Sequence, residues 1–386
     1  MMKSRILLIL FFAALVLTPS CKGKKVTADP SAPATVSDTT RAAAPAPLTA
    51  DPELNSAARL LAGLPLAEDD PIYEMTQTPE WAEHRQKMDD MWAKTVETLV
   101  KVDTIRRREL MDISDRAQSV LYAFSGPDFP FVADIYPTAK TYVLMGLEHT
   151  GSPIQAKKVT RKTYKKYQEA LLWMLQKSYF VTSYMSGDLN NAEIDGTIPI
   201  FMVFITRMGY ELLSIDYQDL TADGQWTDKN GRSNFVRIRY FAPGDTEAKT
   251  LYYLSTDISN EKFDPCVQAM LQRLDPQTTA SFVKSCSYCL HYGSFTQIRD
   301  DILSQSFALI QDDTGITYKT LLNRGWKVTL YGTYTEPIDL FPRSVFQSDL
   351  DKAYKALENP YPLGFRFGYN YKGSSFIVAR KPADND

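Results

Sequence analysis

Histidine and cysteine are scarce in this chain, at three and four residues in 386. That leaves little material for a histidine-based triad or for a zinc site, which takes three or four such ligands. An excess of charge is also lacking. Forty-three basic residues face 46 acidic ones, for a formal net charge of -3, whereas a dedicated nucleic-acid binder carries a marked basic excess. No Walker loop, GxGxxG, GxSxG or HExxH is present, so the short motifs of nucleotide, hydrolase and metalloprotease chemistry are missing. Beyond residue 21 no run approaches the roughly 20 apolar residues that a membrane-spanning helix needs. Aromatic residues are plentiful: 22 Tyr and 19 Phe in a chain that is 44% hydrophobic supply a substantial folded core.

The N-terminus reads as an address. Lys3 and Arg5 precede an unbroken apolar run, Ile6 to Leu17, followed by Thr18-Pro19-Ser20-Cys21. Twelve apolar residues are too few to span a bilayer but match the central segment of a signal peptide. The run closing on a cysteine behind small residues resembles bacterial lipoproteins, in which such a cysteine is lipidated and becomes the mature N-terminus. Leu17 and Ser20 fit that pattern, and Pro19 departs from it. The resemblance implies a leader over 1–20, lipid on Cys21 and a stable membrane anchor, since two or more acyl chains hold a protein at a bilayer. Lys22, Lys24 and Lys25 would sit beside anionic headgroups. Up to residue 51 the chain is mostly Ala, Pro, Thr, Ser and Asp, too poor in large apolar groups to order itself, and reads as a tether.

Residues 52–114 read as a helical N-terminal region, with Trp81, Met88, Trp92, Thr95, Leu99 and Val102 on one helical face. Residues 115–382 read as an α/β body, a mixed sheet with flanking helices. Ser119–Phe124 and Thr141–Leu147 suit buried strands around a loop and short helix, a β-α-β unit whose strand ends form the edge where open α/β sheets bind ligands. Further strands are expected at 210–218, 234–241, 249–255, 307–310 and 326–331, with a closing pair at 363–370 and 374–380. Helical pattern covers 161–186, 198–208, 263–274, 278–304 and 345–358. Leu121-Tyr-Ala-Phe-Ser125 before Asp128 echoes Leu251-Tyr-Tyr-Leu-Ser255 before Asp257, an echo compatible with duplicated β-α halves at 115–210 and 211–382.

The strongest candidate site is Ser125-Gly126-Pro127-Asp128 with Glu148. Two carboxylates at adjacent strand ends could divide acid and base roles if burial separated their pKa values. A tight turn with Asp128 capping the next helix accounts for the same residues. Asp257, Asp312 and Asp313 are further ligand-binding candidates. Asp312-Asp313-Thr314-Gly315 lacks the spacing of an EF-hand loop, and its Asp-Thr-Gly triplet has no second copy to make an aspartic-protease pair. Cys286-Ser-Tyr-Cys289 falls in helical pattern rather than directly after a strand, and Leu290 separates it from His291, which excludes a haem-attachment motif. With Cys266 these thiols allow one disulfide or none.

The segments Phe124–Phe129, Tyr142–Glu148, Lys284–His291 and Gln311–Gly315 resemble those of a family of uncharacterised bacterial secreted proteins, over roughly 115–380. The resemblance implies that Asp128, Glu148, Asp312 and Asp313 belong to one site, and it imports no activity. The expectation is an envelope lipoprotein, anchored to a membrane by its lipid with the body outside the cytoplasm. It would act as a binding or accessory module for a protein or glycan partner, without nucleic acid, cofactor or metal. The alternative is a hydrolase of envelope polymers or glycans working through Asp128 and Glu148. Cys21→Ala should release the protein from membranes or leave it unprocessed, read by fractionation and intact mass. Equal membrane binding and equal mass for both forms would count against lipidation.

Overall fold

The computed structural model describes residues 47–177, 187–370 and 373–382. Cys21, the leader expected over 1–20 and the tether expected over 21–51 lie outside the described residues up to residue 46, as does Tyr179. At the tether's end Asp51 is held to the body, its N–H donating to the Leu212 carbonyl at 2.9 Å.

The N-terminal helices form where the caps and apolar spacing call for them. Helix α1 (Pro52–Ala62) begins behind Asp51, whose side chain accepts from Leu54 N–H. Helix α2 (Pro79–Glu109) begins behind Thr78, which accepts from Trp81 N–H, so each helix has a capping side chain followed by Pro in the first turn. Helix α3 (Met111–Arg116) then leads into the sheet. Trp81, Met88, Leu99 and Val102 are buried as their spacing predicts. Trp81, Met88 and Val102 join the core beneath the sheet rather than a separate helical unit.

Ten strands form one sheet: β1 (Ser119–Tyr122), β2 (Thr141–Gly146), β3 (Glu211–Leu220), β4 (Trp226–Asp228), β5 (Phe235–Phe241), β6 (Lys249–Ser255), β7 (Thr279–Val283), β8 (Ala308–Gln311), β9 (Lys327–Gly332) and β10 (Ser375–Arg380). Their order is β4-β3-β5-β6-β2-β1-β7-β8-β10-β9. The middle five, β6-β2-β1-β7-β8, are parallel. Strands β5, β3 and β4 continue one side antiparallel, and β10 runs antiparallel between β8 and β9 on the other. The expected α/β class with a mixed sheet is what forms. The two proposed halves share this sheet, with β1 and β2 lying between β6 and β7.

Alternation along the central strands divides the core into two layers. Val120 and Tyr122 of β1 face α1, α2, α4 (Phe129–Ile135), α5 (Arg161–Lys177) and α6 (Ile198–Arg207). Leu121 points the other way, towards α7 (Pro265–Gln272), α8 (Thr296–Ser304) and α9 (Tyr318–Asn323). Helix α10 (Ser348–Lys355) packs Leu350 against Ile377 of β10, with Val328 and Leu330 of β9 alongside. Strands covered on both faces are apolar on both faces.

That rule explains one correction. The helical reading of 278–304 holds over Thr296–Ser304, which is α8. It fails at its start because Thr279–Val283 is a central strand with every residue buried, so it shows no alternation that would separate it from a helix. A second correction falls on 363–370. Only 375–380 of the expected closing pair is a strand, while Gly364 and Gly368 take left-handed φ of 67° and 84°, which interrupts an extended run at two places within 363–370.

Asp134, in α4, is half-buried, with carboxylate oxygen Oδ2 unpartnered among the described residues. Burial, with Asp103 nearby, raises its pKa to about 7. A carboxyl raised in the folded state favours folding when protonated, and this contribution is lost as pH climbs from about 4 to about 7. Asp134→Asn should therefore stabilise the protein by about 1–2 kcal/mol at pH 8. The gain should vanish at pH 4, measured by urea unfolding at both values.

Candidate functional site

Five parallel strands bring five carboxyl ends to one edge. Taken in chain order, they lie third, second, first, fourth, fifth across the sheet, so the winding reverses between β1 and β7. The loops leaving β1 and β7 part there and leave a crevice, the place where open doubly wound sheets take ligands. A cavity of about 350 Å³ occupies it. Its walls come from just beyond β1 (Phe124, Ser125, Gly126), β2 (Leu147, Glu148), β6 (Thr256, Asp257, Ile258) and β7 (Lys284 to Ser287, and Cys289). Phe295 and Leu340 close its sides.

Backbone strain is concentrated here. Among the described residues, four that are not glycine have positive φ: Phe124 (59°), Ser285 (55°), Ser287 (54°) and Tyr288 (58°). The first three line the cavity and the fourth adjoins it. Such conformations cost on the order of 1–3 kcal/mol each and gather where a loop is held for function. The holding groups are visible. Asp312 accepts from Ser285 N–H at 2.9 Å through Oδ2, and from Thr314 N–H and Oγ1–H through Oδ1. Asp313 accepts from Tyr288 Oη–H and Ser375 Oγ–H, each at 2.7 Å. Burial, then the neighbouring Asp313 charge, raises the Asp312 carboxyl to about 7, and burial likewise raises that of Asp313. Neither carboxylate lines the cavity. Both build its β7 wall from behind.

Asp128 is also behind the wall. It is buried, accepts from Tyr122 Oη–H at 2.8 Å, and lies 2.5 Å from Lys284 Nζ. It makes no side-chain cap to α4, so the turn-and-cap account holds only for the turn. Lys284 Nζ is buried over the Phe131 ring, 4.0 Å from its centroid. Its N–H groups have no acceptor in good hydrogen-bond geometry among the described residues.

Glu148 does line the cavity. Its carboxylate has one contact among the described residues, Tyr253 Oη at 3.5 Å, and that hydroxyl donates to the Glu148 carbonyl at 2.7 Å. Gly146 makes the approach possible. A Cβ there would stand 2.7 Å from both Glu148 Oε2 and Tyr253 Oη, and 3.0 Å from Gly126 Cα. Asp257 lines it from beyond β6, the strand beside β2, its pKa lowered by hydrogen bonds from Ser259 and by the Lys262 charge. Ser125 is present in the wall with its hydroxyl committed to the Met145 carbonyl. Of the expected residues, the fold thus brings Ser125, Gly126, Glu148 and Asp257 to one cavity, and holds Asp128, Asp312 and Asp313 outside it.

The Cys-X-X-Cys stretch does follow a strand, contrary to the helical reading. It forms a tight turn in which Cys289 N–H donates to the Cys286 carbonyl at 3.0 Å across the left-handed pair Ser287-Tyr288, and only a short 3₁₀ turn follows. Cys266, Cys286 and Cys289 are free thiols. Burial raises Cys289 to about 11 and Cys286 further, so neither is an activated nucleophile. Cys286 Sγ–H donates to the Thr314 carbonyl at 2.9 Å.

Lys284 and Phe295 were missed in the sequence because β7 was read as helix. The signal was a five-residue buried run bounded by Asp275-Pro276 and Lys284, short for a helix and of strand length.

No family model, curated protein or solved structure matches the chain.

Ser285→Gly removes both the φ penalty and a buried hydroxyl that has no partner among the described residues. It should raise stability by about 0.5–1 kcal/mol, seen as a higher urea midpoint at unchanged slope. A loss of stability would mean that the left-handed turn carries no strain.

Proposed function

We propose that the chain is a membrane-tethered binding protein whose α/β body takes a nucleoside-type ligand in the crevice between β1 and β7. The position of Glu148 carries this reading. It stands at the end of the second parallel strand, 22 residues beyond Gly126, where doubly wound folds place the acidic residue that accepts the hydroxyls of a ribose. Its carboxylate faces the cavity almost unpartnered. Phe124, Met145, Ile258 and Phe295 supply apolar wall for a base. The tilted Phe124 and Phe295 rings, with centroids 5.7 Å apart, leave flat faces for it. The lipid on Cys21 and the tether would hold this body near a membrane with its mouth open to solvent.

Hydrolysis by paired Asp128 and Glu148 is the weaker reading, because a catalytic acid or base must reach the proton that it moves. Asp128 is engaged by Lys284 and Tyr122 outside the cavity lining.

Calorimetric titration with purine and pyrimidine nucleosides should find one that binds, with its 2′-deoxy form weaker. Glu148→Gln should lower that affinity about tenfold or more, since a hydrogen bond to a charged acceptor contributes roughly 1.5–3 kcal/mol. Equal binding of the ribo and deoxy forms, or indifference to Glu148→Gln, would remove the ribose contact.

A further inference from the structure

The ionic groups of the crevice are unevenly placed. Glu148 and Asp257 line it as carboxylates, and Lys284 is the cation in its lining. Lys284 is not left as a free positive charge. Asp128 reaches it from behind the wall at 2.5 Å, both side chains being under a tenth exposed. Tyr122 donates to the same Asp128 oxygen, so the carboxylate is held in place. The pair is therefore close to neutral as seen from the cavity, Asp257 is paired with Lys262 at 3.3 Å, and the charge left uncompensated there is the negative one of Glu148.

We infer that Asp128 sets the charge class of the ligand. By cancelling Lys284 at the floor of the crevice, it admits a nucleoside without phosphate and turns phosphorylated nucleosides away. This rests on the nucleoside reading of the site and goes further, since that reading leaves the ligand's charge open. Three observations support it. The Lys284 ammonium is buried against Asp128 and the Phe131 ring, neither of which lines the cavity, so it contributes little net field there and offers a phosphate no ion pair. A phosphate would meet the Glu148 carboxylate with no uncompensated cation in the lining, Asp257 being already paired with Lys262, and like charges a few ångströms apart in a partly desolvated cavity repel strongly. The loop after β1 also spends its acidic residue on this pair, where a phosphate-binding loop presents free backbone N–H groups.

The test compares adenosine with adenosine 5′-monophosphate by calorimetric titration at one ionic strength, on the wild-type chain, Asp128→Asn and Lys284→Gln, each first shown to be folded by circular dichroism. The wild type should bind adenosine about tenfold or more tightly than the monophosphate. Asp128→Asn, which keeps shape and frees the Lys284 charge, should narrow or invert that ratio by at least about tenfold, chiefly by improving the monophosphate. Lys284→Gln, which leaves Asp128 uncompensated, should widen it, and this arm decides the matter if Asp128→Asn does not fold. A wild type that prefers the monophosphate, or variants with an unchanged ratio while adenosine still binds, would overturn the charge selection and leave the nucleoside reading standing. Failure of the wild type to bind either compound or any other nucleoside would overturn both.

Discussion

Two buried carboxylates on consecutive residues hold the working edge of this sheet in shape. Asp312 and Asp313 leave the end of β8 and reach sideways to the β7 loop, which contains three of the four strained non-glycine residues. Each accepts hydrogen bonds from groups that would otherwise be orphaned in the interior, and an unmade buried bond costs more than a made one contributes. The left-handed turn persists because these acceptors over-determine it. Without that wall, Lys284 has no fixed place opposite Asp128 and the crevice between β1 and β7 has no second side.

The same arrangement explains what was readable in the sequence. The β1 and β2 strands stand out as short apolar runs around a Gly-Pro turn, so the strand ends and Glu148 follow from pattern. The sequence does not distinguish a carboxylate that looks into a cavity from one that braces the cavity from behind. Asp128, Asp312 and Asp313 share composition and loop context with Glu148 and Asp257, and differ only in partners that are remote in sequence: Lys284, Ser285 and Tyr288. Strand β7 is hidden for a related reason. A central parallel strand is buried on both faces, and the alternation that marks a half-exposed strand disappears.

Aromatic abundance also acquires a purpose. Tyr122, Tyr142, Tyr240 and Tyr253 are fully buried along the central strands. Two of them spend their hydroxyls on the site, on Asp128 and on the Glu148 backbone, so the layer that fills the core also positions the polar groups at its rim.

The order of the strands has a consequence for how the molecule is made. Strand β10 is last in sequence but second from one end of the sheet, inside β9, pairing with both β8 and β9, and its first residue, Ser375, hydrogen-bonds to Asp313. A chain emerging from its N-terminus cannot finish the edge that carries the crevice until residues beyond 370 have arrived. Until then β8 and β9 stand apart with open ladders, the form in which unpaired strands invite wrong partners. Ligand competence is therefore a late event in the life of each molecule, delivered by its final strand.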